Sequence, residues 1–66
     1  MSISAHRHPE LSIVCLGRPV EAEGVTFPAG SSGTVVHVYD GGKAYIVEFE
    51  RPVHAVVTVE AGSIAE

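Results

Sequence analysis

The residues able to do chemistry in this chain are few and scattered. His6 and His8 flank Arg7, and an H-x-H pair is a metal-ligand spacing. A metal site needs three or four fixed donors with supporting partners behind them, and no cysteine or carboxylate cluster accompanies these histidines. They are expected to be solvated, and no metal is expected. Cys15 is the single cysteine. It cannot form an internal disulfide, and no histidine or basic residue lies beside it in sequence to stabilise a thiolate. A buried, inert thiol is the expectation. Glu48 and Glu50 are two apart, which on a strand puts them on one face roughly 7 Å apart. No nucleophile–base pair supports them, and a small valine-filled domain leaves no room for a substrate cavity, so no catalytic residue is expected. The stretch Gly30-Ser31-Ser32-Gly33 resembles a phosphate cradle but lacks the lysine, the following helix and the crossover unit that such a loop needs. No cofactor is expected.

The elements around these residues are organised by one stretch, Gly33 to Glu50, which has the pattern of a β-hairpin. Thr34–Tyr39 and Ala44–Phe49 are rich in β-branched and aromatic residues, and Asp40-Gly41-Gly42-Lys43 lies between them. Two adjacent glycines supply the positive φ of primed hairpin turns. With Gly41 and Gly42 as the turn, Tyr39 faces Ala44, Val38 faces Tyr45, Val36 faces Val47 and Thr34 faces Phe49. Alternation then puts Val36, Val38, Tyr45, Val47 and Phe49 on one apolar face, expected to be core. The opposite face carries Val35, His37, Tyr39, Ala44, Ile46, Glu48 and Glu50.

The composition limits what else is possible. Sixty-six residues make one domain that hides about 60% of the surface its unfolded chain exposes. The chain is 45% hydrophobic with no tryptophan, so the core is aliphatic. The net charge is −4 and the four basic residues Arg7, Arg18, Lys43 and Arg51 are scattered, which disfavours nonspecific nucleic-acid binding. The opening MSISAHRHPEL has no basic region followed by a long apolar run, so no secretory leader is expected. No apolar run reaches membrane-spanning length, and a cytoplasmic location is the expectation.

Residues 1–9 are polar and aperiodic and are expected to form a flexible arm; residues 10–66 form the domain. Leu11–Leu16 is the first strand, nearly all apolar and expected to be covered on both sides. Gly17–Ser32 is a long connection interrupted by Pro19 and Pro28, with Val20 and Val25 or Phe27 folding back as anchors. After the hairpin, Arg51-Pro52 ends the third strand. Ala55–Glu60 is the fourth, with Val57 and Val59 inward, and Ile64 plugs the end of the core. This layout predicts an all-β, five-stranded SH3-like barrel with one long loop between its first two strands.

The pattern G-x-x-G-T-V-V-x-V-Y, a glycine turn, A-Y-x-V-E-F and then A-V-x-T resembles a family of small bacterial stand-alone domains. The matching residues are Gly30, Gly33 to Val36, Val38, Tyr39, Ala44, Tyr45, Val47 to Phe49, Ala55, Val56 and Thr58, and the resemblance covers nearly all of the chain after the arm. It implies an SH3-like barrel and no catalytic residues. Where that family has aspartates, this chain has Ser31 and Ser12, so no role of those carboxylates carries over. The G-T-V-V unit is also similar to KOW-type segments of ribosome- and transcription-associated barrels.

One side of an antiparallel sheet normally meets water, yet the face opposite the expected core is not clearly polar. A contiguous apolar surface marks an interface. Val35, His37, Tyr39 and Ile46, with Val56 adjoining, are therefore the expected contact surface. The function expected is a non-catalytic protein-interaction or accessory module that self-associates through this face into a homo-oligomer. The alternatives are a KOW-like RNA- or ribosome-associated module and an immunity- or antitoxin-type partner of a neighbouring protein.

Overall fold

The computed structural model of the chain describes residues 9–65. His6 and His8, and the arm at 1–9 apart from Pro9, lie outside the described residues. Six strands follow one another: β1 (Ile13–Cys15), β2 (Val20–Ala22), β3 (Val25–Phe27), β4 (Ser32–Tyr39), β5 (Ala44–Phe49) and β6 (Ala55–Glu60). A single 3-10 turn, Ala61–Ser63, comes after β6. The fold is all-β, as its valine-rich alternating segments predict. No helix among the described residues is long and apolar enough to cross a membrane.

The strand count and the closure differ from expectation. The strands form two sheets, one four-stranded in the order β1-β4-β5-β6 and one two-stranded from β2 and β3, and neither sheet closes on itself. The extra strands lie in the stretch expected to be an irregular loop. Pro19 and Pro28 stand just outside β2 and β3, where they interrupt no ladder bond. Glu23 and Gly24, at φ 53° and 78°, turn one strand into the other.

The central hairpin forms where the sequence places it. Tyr39 pairs with Ala44 and Val38 with Tyr45. The turn differs from the two-residue Gly41-Gly42 turn expected: Asp40 to Lys43 form a four-residue loop with positive φ at Asp40, Gly41 and Gly42, and the Gly42 and Lys43 N–H groups both donate to the Tyr39 carbonyl, at 2.9 and 3.1 Å. Further along, the register changes. Val36 is an extra residue between the pairs Val35–Val47 and His37–Ile46, a β-bulge that moves the rest of β4 by one position. Gly33, not Thr34, therefore faces Phe49, and Val35, not Val36, faces Val47. Val35 is 0% exposed and Val36 is 38% exposed. Val35 is thus corrected from contact surface to core.

The core is not the aliphatic one expected from the composition: Phe27, Tyr45 and Phe49, three of the four aromatic residues, are buried in it. β5 supplies Tyr45, Val47 and Phe49, β6 supplies Val57 and Val59, and β1 supplies Val14, with Leu16 just beyond it. Val38 packs against them half-buried. From outside the large sheet, Phe27 stacks at 4.8 Å between ring centroids on Phe49, and Ile64 is buried as the sequence predicts. No polar or charged side chain among the described residues is buried.

The segment after the 3-10 turn runs along β1. Leu16 and Ile64 form an antiparallel bridge, the Gly17 N–H donates to the Ser63 carbonyl at 2.7 Å, and the Ala65 N–H donates to the Cys15 carbonyl at 2.8 Å. β1 is therefore hydrogen-bonded on both edges, to β4 and to this segment. Its two faces differ, however. Val14 and Leu16 are buried while Ile13 and Cys15 are exposed, so β1 is covered on one side only and the Cys15 thiol is at the surface rather than buried.

Candidate interaction surface

The pairing register builds the outer side of the four-stranded sheet row by row. Because Tyr45, Val47 and Phe49 point into the core, Ala44, Ile46 and Glu48 point out. Cross-strand partners share a face, which gives three rows: Tyr39–Ala44–Glu60, His37–Ile46–Thr58 and Ile13–Thr34–Glu48–Val56. His37, Tyr39, Ile46 and Val56 thus lie together on this side, as the sequence analysis expects, and Val35 does not. Ile13 is 68% exposed, Val56 55% and Tyr39 42%, while Ile46 between them is half-buried. Ile13 was missed because Leu11–Leu16 is almost uniformly apolar. Ile13-Val14-Cys15-Leu16 has no polar–apolar alternation, so nothing in the sequence marks Ile13 as outward; only the burial pattern does.

Polar groups surround and interrupt these apolar side chains. The His37 and Tyr39 rings meet edge to face at 4.8 Å, and His37 Nδ1 is 3.8 Å from the Glu10 carboxylate. His54 Nε2 and Glu48 Oε2 are 2.7 Å apart and share a hydrogen bond. Both side chains of that pair are substantially exposed.

A cleft of about 580 Å³ opens from this side at Ile13, Thr34 and Glu48. Its far wall is Pro28, Gly30 to Gly33, Glu50, Arg51 and Pro52. The Gly-Ser-Ser-Gly stretch therefore lines a cleft, but the donors of Gly30 and Ser31 are already engaged. The Gly30 N–H donates to the Leu16 carbonyl at 2.8 Å, and the Ser31 N–H and Oγ both donate to the Pro28 carbonyl, at 3.0 and 2.7 Å. Glu48 and Glu50 both border the cleft, yet Glu50 lies past the end of β5 and Glu48 is held by His54. No group of three or more His, Cys, Asp or Glu among the described residues is arranged to hold a metal ion.

No protein-family model matches the chain, and neither a curated protein nor a solved structure matches it.

Proposed function

We propose that the protein is a non-catalytic interaction module that self-associates on the outer side of its four-stranded sheet, with His37, Tyr39, Ile46 and Val56 as the contact residues and Ile13 continuing the surface. The observation that carries this reading is that Ile13, Tyr39 and Val56 are exposed on the same side of an antiparallel sheet, around the half-buried Ile46, with carboxylates and histidines among them. Exposed Ile, Val and Tyr on one face of a small domain favour association, and the interspersed charge keeps the free chain dissolved.

The architecture we infer for the module is SH3-like. In that arrangement the bridge between Leu16 and Ile64 completes a ring that runs from the C-terminal segment through β1, β4, β5 and β6, and the β2–β3 hairpin is an excursion within the long first loop. The resemblance to small bacterial stand-alone domains, carried by the stretch from Gly30 to Thr58, agrees with this proposal, as does a cytoplasmic setting.

Sedimentation equilibrium tests the reading. The wild-type chain is expected to associate with rising concentration, and Ile46→Lys is expected to weaken that association while leaving the circular dichroism spectrum unchanged. A wild-type chain that stays monomeric over the whole range would overturn self-association.

A further inference from the structure

The hydrogen-bond alternation along β6 shows which of its backbone groups have no partner among the described residues. The Ala61 N–H donates back across the sheet to the Lys43 carbonyl at 3.0 Å. In an antiparallel ladder, successive residues alternate between pointing at one neighbour and at the other. Ala61, Val59, Val57 and Ala55 therefore turn their N–H and C=O toward β5, and Glu60, Thr58 and Val56 turn theirs to the opposite edge, where the sheet order ends. The side chains of these three residues are exposed on the outer face. This edge lacks most of the devices that discourage strand addition: from Ala55 to Glu60 it has no proline, no lysine and no bulge, and its one charge, Glu60, stands at the end.

We propose that β6 is the seam at which a second copy of this chain joins, antiparallel about a two-fold axis, with Val56 opposite Thr58 of the partner subunit and His54 opposite the partner's Glu60. This rests on the self-association proposed above and goes beyond it: of that surface only Val56 lies in the seam, while His37, Tyr39 and Ile46 stay on the joined outer face. The two-fold pairs like edges, so each contact occurs twice. The register follows from side-chain chemistry. Pairing Thr58 with its own copy would set Val56 against the partner's Glu60, an apolar group against a charge. Pairing Val56 with its own copy would shorten the ladder and leave Glu60 opposite the partner's Pro52, which has no N–H to give. The chosen register uses the outward groups of His54, Val56, Thr58 and Glu60 together. It puts a basic side chain against an acidic one at each end and β-branched side chains together at the centre. His54 belongs to the same face, as its bond to Glu48 shows. The outer faces of the two copies then form one continuous sheet surface.

The experiment combines hydrogen exchange with sedimentation on the intact chain. In the dimer, the Val56, Thr58 and Glu60 amides gain protection as concentration rises, while the already bonded amides of Val57 and Val59 change little. Thr58→Pro removes an outward N–H without breaking a bond to β5 and abolishes the dimer. Thr58→Lys, which keeps the strand's φ free, does the same if the proline variant fails to fold. Glu60→Lys weakens the dimer about three- to tenfold, and adding His54→Glu restores it, because the pair is then reversed across the seam. A chain that is monomeric throughout overturns both this inference and the reading it rests on. A dimer whose Val56, Thr58 and Glu60 amides stay unprotected, or which survives Thr58→Lys, overturns the β6 seam alone and leaves stacking of the outer faces.

Discussion

Gly33 stands opposite Phe49, and a methyl group on it would lie 2.6 Å from Val47 Cγ1 and 2.7 Å from the Glu48 carbonyl oxygen. Beside this close approach Phe49 stacks on Phe27, with ring centroids 4.8 Å apart. Unlike Gly30 or Gly41, Gly33 has no positive φ to account for its identity, so the requirement is one of volume. A backbone oxygen cannot move aside as a flexible side chain can. Gly33→Ala is expected to destabilise the chain by about 1–3 kcal/mol, as overpacking does in a well-packed core. In a domain of this size each kcal/mol lowers Tm by roughly 4–8 °C, so a thermal melt resolves the effect. An unchanged Tm would mean that β4 and β5 are further apart here.

The bulge gives a paired test in neighbouring, chemically identical residues. Val35→Ala removes a fully buried side chain and is expected to cost about 1.5–3 kcal/mol. Val36→Ala trims a side chain already in contact with water and is expected to stay within about 0.5 kcal/mol. Denaturant midpoints for the two variants check the register directly. Equal losses, or a larger loss at Val36, would place the extra residue elsewhere in β4.

The same pair shows where the sequence stops being informative. The turn end of the hairpin was legible because Asp40-Gly41-Gly42 permits few backbone paths and the period-2 pattern from Tyr45 to Phe49 is unambiguous. Ala55–Glu60 and the buried Ile64 were legible for the same kind of reason. The bulge was not, because Val35 and Val36 are identical and the apolar pattern fits either register. The β2–β3 hairpin was hidden by its prolines, which lie at strand ends rather than within them. Of the candidate surface, Ile46 and Val56 were placed on the outer side by alternation along β5 and β6, and His37 and Tyr39 by counting back from the turn along β4, on the near side of the bulge. Val35 was misplaced by the shift in β4, and Ile13 was concealed by its apolar neighbours.

The His54–Glu48 bond is short but exposed, and its worth should reflect that. Water competes for both groups, and fixing two side chains costs conformational entropy. His54→Ala is expected to change folding stability by no more than about 0.5 kcal/mol. Its effect should appear instead in association, since the imidazole stands at the end of the β6 edge. Comparing unfolding midpoints with dimer constants for this one variant separates the two roles. A large loss of stability with association unchanged would assign His54 to the fold rather than to the seam.

Leu16 and Ile64 test whether the C-terminal segment belongs to the cooperative unit. Both are buried, and they are bridged through the backbone at the far edge of β1. If the segment merely lies against a finished sheet, Ile64→Ala leaves the unfolding of the strands nearly unchanged. If it completes the ring, the side chain fills space that neither sheet can cover alone, and its removal costs about 2–4 kcal/mol in the global transition. The double variant with Leu16→Ala then loses less than the sum of the single losses, because the two side chains share one packing site and the first truncation already loosens the second. Additive losses would show that the two residues stabilise separate parts of the structure, and the SH3-like closure proposed for this chain would fail on that result.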